Sequence, residues 1–134
     1  MLKTVEAQIK DYDEKRRKFS VAVTNIDELS PEFILESIRP FISIPEYGAN
    51  RRPIMEVELV PLMIHYANLH SQLGELLGIM GHRVRYYEVM GQKENGKTAR
   101  TKREILEESR KDIKVLWDTI RSIAFGQQQY LRPD

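Results

Sequence analysis

The chain contains no cysteine. That excludes disulfides, a thiol nucleophile and cysteine-ligated zinc, and it fits a reducing compartment. No stretch approaches the roughly 18 consecutive apolar residues that a membrane-spanning helix needs. The opening Met-Leu-Lys-Thr-Val-Glu lacks the apolar centre of a signal peptide, so a cytoplasmic location is expected. Aromatic residues are scarce at 8%, and neither sign of charge prevails, since 21 Lys and Arg against 20 Asp and Glu leave a net +1. Histidine is rare too: His65, His70 and His82 form no H-x-x-x-H pair, so no metal site is expected. No Ser, His and acid arrangement stands out. Glu107, Glu108 and Asp112 read as charges on a solvated helix face, so no catalytic residues, no cofactor and no enzymatic activity are expected.

What is present is 31% charged and 41% hydrophobic residues in 134, the composition of one helical domain with long solvated faces. Pro61 to Leu131 organises the chain. In its first arm Leu62, Tyr66, Leu69, Leu73, Leu76, Met80 and Tyr87 fall on alternating steps of four and three, with Arg83 as the charged interruption. In its second arm Leu106, Ile113, Leu116, Ile120, Ile123 and Tyr130 keep that rhythm, with Ser109 and Gln127 as its polar members. A 3.5-residue period places each set on one narrow helical stripe, the coiled-coil pattern, and a short connection favours antiparallel packing. The expected fold is therefore mainly α: a long, coiled-coil-like antiparallel hairpin over residues 61–132 on a small α/β or helical base over residues 1–60, together a single domain.

The base is expected to start with a helix from Leu2 to about Lys18, with Val5, Ile9 and Tyr12 inward and Lys15, Arg16, Arg17 and Lys18 in its last turn. Phe19, Val21 and Val23 alternate with Ser20, Ala22 and Thr24, which predicts a short strand from Phe19 to Ile26. Ser30-Pro31-Glu32 opens a second helix that must stop near Arg39 because Pro40 follows, with Phe33, Ile34 and Ile38 as its buried side. Phe41 to Pro53 reads as a loop. Met55, Val57 and Leu59 alternate with Glu56 and Glu58, so they form either a second strand or the start of a long helix that bends at Pro61.

Two features of the hairpin suggest partners. Ala67, Ser71, Gly74, Gly78 and Gly81 form a small-residue stripe, suited to close approach of another backbone or else marking a break near Gly78 to Gly81. With Trp117 at the edge of the seam they are candidate interface positions for a homo-oligomer or a protein partner. The second feature is a basic tip. Arg83, Arg85, Lys93, Lys97, Arg100, Lys102 and Arg103 face only Glu88 and Glu94 between His82 and Arg103, and Tyr86 and Tyr87 stand beside them to stack on bases. These nine residues are the candidate contacts for single-stranded nucleic acid.

Gly91 to Thr98 also matches G-x-x-x-x-G-K-T, the phosphate-binding P-loop pattern, in which backbone N–H groups and the lysine cradle phosphates. No strand-forming segment follows Thr98, as a P-loop fold requires. The same residues suit a turn between helices, with Thr101-Lys102-Arg103-Glu104 as a capping box for the second.

From the helix ending in Arg85-Tyr86-Tyr87, through the Lys- and Gly-containing loop, into Thr101-x-x-Glu104 and a helix with Asp112, Leu116, Trp117 and Ile120, residues 65–130 resemble the hairpin of the UvsY-type recombination mediators of large bacteriophages. That resemblance implies a ring-forming helical protein of the host cytoplasm or the virion. It would bind single-stranded DNA and help to load a recombinase, with Arg85, Tyr87, Lys97, Arg100, Lys102 and Arg103 in DNA contact.

Overall fold

The structure, a computed structural model, describes residues 4–42 and 55–131, with side chains up to residue 122 except at residue 56. Leu2, the loop expected over Phe41 to Pro53 from residue 43 onward, and the side chains of Ile123, Gln127 and Tyr130 lie outside the described residues. Among the described residues four α-helices follow in order: α1 (Val5–Ala22), α2 (Pro31–Ile38), α3 (Glu56–Val89) and α4 (Lys93–Leu131). Short 3-10 segments at Val23–Glu28 and Arg39–Phe41 extend α1 and α2. There is no strand among the described residues, so the described part of the base is helical.

α3 and α4 form the long hairpin. At 34 and 39 residues they are about 51 and 58 Å long. Contacts across the pair run in opposite directions along the sequence: Arg100 Nη1 donates to Glu88 Oε1 at 3.1 Å near the tip, and Arg110 Nε donates to the His70 carbonyl at 3.3 Å farther down. Leu62, Tyr66, Leu69, Leu73, Leu76 and Met80 are buried, as are Leu106, Ser109, Ile113 and Ile120 opposite them. Above Met80 the buried position is Val84, with Arg83 turned aside. On α4 the seam starts earlier than expected, at Ala99 and Lys102.

The hairpin turn is tight. Gly91 adopts φ +69°, its N–H donates to the Glu88 carbonyl at 3.2 Å, and the Gln92 N–H reaches the Tyr87 carbonyl at 2.9 Å. These two bonds close α3 with a Schellman motif, which requires the left-handed residue that glycine supplies. α4 begins directly at Lys93, so the connection is Met90 to Gln92 and not Gly91 to Thr98. Thr101 lies inside the helix with its hydroxyl donating to the Lys97 carbonyl, so the expected capping box does not form. A capping interaction is found instead at the start of α3, where Met55 N–H donates to Glu58 Oε1 at 3.0 Å. α3 then runs on through Pro61, and no break occurs at Gly78 to Gly81.

The base packs on one side of this hairpin. Tyr12 stacks on His65 at 4.8 Å, Gln72 donates to Ser20 at 3.0 Å, and Arg83 grips Asp27. These pairs show that α1 runs parallel to α3. α2 then turns back, bringing Phe41 within 5.6 Å of the Tyr12 ring and 6.3 Å of Phe19. The strand predicted over Phe19 to Ile26 is helical, and of the two readings of Met55 to Leu59 the start of the long helix is the one found. Phe19 and Val23, four residues apart, are buried on one face while Val21 between them is 72% exposed. Only the helical spacing is satisfied by a partner. The basic run Lys15 to Lys18 lies within α1, not in its last turn, where Lys15 pairs with Asp11 at 2.9 Å and Lys18 with Glu14 at 3.4 Å. Ser30 caps α2 by accepting from Phe33 N–H at 3.1 Å, and the helix ends at Ile38 as Pro40 demands. Ile34 and Ile38 are buried, but Phe33 points outward. Among the described residues, no helix is long and apolar enough to cross a membrane.

Candidate functional site

The basic tip does not gather its residues on one surface. Lys102 is only 3% exposed, and its Nζ donates to the carbonyls of Ile26 at 2.9 Å and Asp27 at 3.0 Å. Burial lowers its pKa, with the Asp27 carboxylate opposing. Lys102 thus closes the end of the 3-10 segment after α1 and is unavailable to a nucleic acid. Arg83 Nε contacts both Asp27 carboxylate oxygens, at 2.9 and 3.1 Å. That hydrogen bond and the carboxylate charge raise the Arg83 pKa. Arg100 is held by Glu88. Tyr87 packs against the core and meets the exposed Tyr86 edge-on at 5.5 Å. Of the nine candidates, Arg85, Tyr86, Lys93, Lys97 and Arg103 are exposed and make no ion pair among the described residues.

The P-loop match is not a P-loop. Gly96 is buried, its N–H donates to the Gln92 carbonyl at 2.9 Å, and a Cβ there would sit 3.5 Å from the Tyr87 Cβ. Gly96, Lys97 and Thr98 form regular helix, so no loop of free amides exists to wrap a phosphate. Among the described residues, no group of three or more His, Asp or Glu is placed to hold a metal.

Among the described residues no other backbone closes on the glycines of the small-residue stripe. Only Gly74 admits a close neighbour: a Cβ there would lie 3.0 Å from Arg110 Nη2. Gly78 and Gly81 face open space. The stripe also continues in both directions at the same three-four spacing. Toward the base it becomes Val57, Val60 and Ile64, which are 68%, 43% and 57% exposed. Toward the tip it becomes Arg85. Apart from Arg110 over Gly74, one face of α3 is therefore uncovered among the described residues, apolar at one end, bare at Gly78 and Gly81 and basic at the other.

Beside the bare section the α3–α4 junction opens into two adjoining hollows that share Arg103. One, of about 580 Å3, is lined by His70, Leu77, Glu107, Arg110, Lys111 and Lys114. The other, of about 470 Å3, is lined by Gly78, Gly81, His82, Arg85 and Glu88. Sequence reasoning missed Arg110, Lys111 and Lys114, because on a helix with alternating charges nothing marks which cations a glycine-floored groove will collect. Desolvation, followed by Arg110 and Lys114, lowers the pKa of His70. Trp117, half-buried, lies with its ring centre 5.9 Å from that of His70, and Lys114 Nζ and Arg121 Cζ stand 5.5 and 5.7 Å from its ring centre. Those cations occupy the ring, which makes it a poor stacking platform. Comparison with protein-family models, with curated proteins and with solved structures finds no match for the chain.

Proposed function

We propose that the protein is a non-enzymatic assembly component whose hairpin carries a self-association surface, with a second copy of the chain as its partner. The observation that carries this is the row Val57, Val60 and Ile64: three branched apolar side chains at seam spacing on one helix, all exposed. In a coiled-coil register such residues belong under a facing helix. A symmetric pair would set the row against its own copy, the isologous arrangement most homodimers use. The test is the mass in solution at micromolar concentration. A multiple of 15.7 kDa is expected, with Ile64→Glu shifting the population toward the single chain. A wild-type protein that stays at 15.7 kDa up to high micromolar concentration would refute the reading.

A further inference from the structure

We infer that the groove between α3 and α4 is a binding site for a linear chain of phosphates, the chemistry shared by a nucleic-acid strand and inorganic polyphosphate. Arg85, Arg103, Arg110, Lys111 and Lys114 line it against two carboxylates, Glu88 and Glu107. Glu88 is engaged by Arg100 at 3.1 Å, while two of the cations carry their own counter-charge, Lys111 with Glu107 at 3.9 Å and Lys114 with Asp118 at 2.8 Å. Arg85 and Arg103 have no counter-charge among the described residues. Arg110 donates to the His70 carbonyl and makes no ion pair among the described residues, so three arginines of the groove are uncompensated; such a set gathers anions, and arginine forks match phosphate oxygens.

The shape selects an extended ligand. From Arg103 to Lys114 the cations follow about 16 Å of helix, the length of about five phosphates at 3.4 Å each. Gly78 and Gly81 leave the floor open where any side chain would fill it. On α3, Arg83 and Gln72 point to the base while Gly78, Gly81 and Arg85 lie about half a turn away, so the groove faces away from α1. Because cations cover the Trp117 ring, contact is made through phosphates and carries no base preference. The site is separate from the row of Val57, Val60 and Ile64 and does not depend on the assembly reading.

The experiment titrates the full chain with fluorescent oligothymidylate, with inorganic polyphosphate and with poly-glutamate. Phosphate chains are expected to bind, with affinity falling about 20-fold between about 50 and 200 mM salt if the three uncompensated arginines release counterions. Arg85→Gln with Arg103→Gln should remove about two of them and flatten the salt dependence by about 1.4 logarithmic units per decade. Arg17→Gln with Lys18→Gln, exposed cations on α1, should leave binding unchanged. Circular dichroism and the thermal midpoint of each variant separate lost binding from lost fold. Binding of either phosphate chain alone upholds the site and identifies its source. Equal binding of poly-glutamate, indifference to the groove variants, or no binding at the lower salt each overturn it. Ile64→Glu, which addresses assembly, should bind phosphate chains as the wild type does.

Discussion

His65 is buried among Tyr12, Phe41 and Tyr66, and neither ring nitrogen has a hydrogen-bond partner. Burial, reinforced by the nearby Arg16 charge and opposed by Asp13, pushes its pKa down to about 4 from the ordinary 6.5. The folded state therefore refuses a proton that the unfolded chain accepts. Stability should be full above pH 6.5 and fall progressively toward pH 4, by roughly 3 kcal/mol in all. His65→Leu should flatten this dependence and raise stability at neutral pH by about 1 kcal/mol, since it removes an unsatisfied polar group. Denaturant titrations at several pH values check both outcomes. Tyr66 beside it has its hydroxyl pushed above the usual phenol range by burial and by Tyr12, so it stays neutral throughout this window. Lys102 is the opposite case, a buried cation fully engaged by two carbonyls. Lys102→Ala should destabilise by about 2–3 kcal/mol, because it leaves both acceptors without their donor. Arg83→Ala, which opens only the exposed pair with Asp27, should be far milder.

At the scale of the element, three glycines that look alike in sequence divide into two kinds. Gly78→Ala and Gly81→Ala meet nothing and should each stabilise by about 0.5–1 kcal/mol, the ordinary penalty for glycine inside a helix. Gly74→Ala gains the same propensity but must displace the Arg110 guanidinium, 3.0 Å from the new methyl, and should lose part or all of that gain. Thermal midpoints of the three variants decide it. The seams were legible because burial repeats over many turns: Leu62 to Met80 and Leu106 to Ile120 hold their period against local noise. Short segments were not. Phe19, Val21 and Val23, like Met55, Val57 and Leu59, alternate as strand residues do, yet only Phe19, Val23 and Leu59 are buried. Over five residues, helical and extended spacings share too many positions to be told apart. Gly91 to Thr98 was misjudged for another reason. Gly, Asn and Lys there suggest a loop, but a single left-handed residue suffices to reverse the chain, and α4 propagates through the rest.

For the whole molecule, charge and apolar surface follow the hairpin's two sides. The base covers one side of the hairpin, through α1 on α3 and α2 on α4. The other side carries the exposed valines and isoleucine at one end and the cation-lined groove nearer the tip. Assembly through the apolar end, as proposed, would leave the groove accessible on each copy. The mass should therefore be insensitive to salt while phosphate-chain binding is strongly salt-dependent. Sedimentation at low and high salt, with and without oligothymidylate, separates the two. The sequence concentrated attention on the tip because its cations are contiguous in the chain. Folding redistributes them: Lys102 goes inward, Arg83 and Arg100 pair, and Arg103 joins cations from two and three turns farther along α4.

The clasp that Lys102 makes on the carbonyls of Ile26 and Asp27 joins positions 76 and 75 apart in the chain. The α3–α4 pair, by contrast, can zip from its turn through short-range contacts. The hairpin should thus nucleate folding and α1 and α2 should dock afterward, since distant closure is entropically slower. Lys102→Ala should then accelerate unfolding while leaving the refolding rate nearly unchanged. Under native conditions, amide protons of α2 should exchange sooner than those of Leu69 to Met80, making the base the first part of the molecule to open.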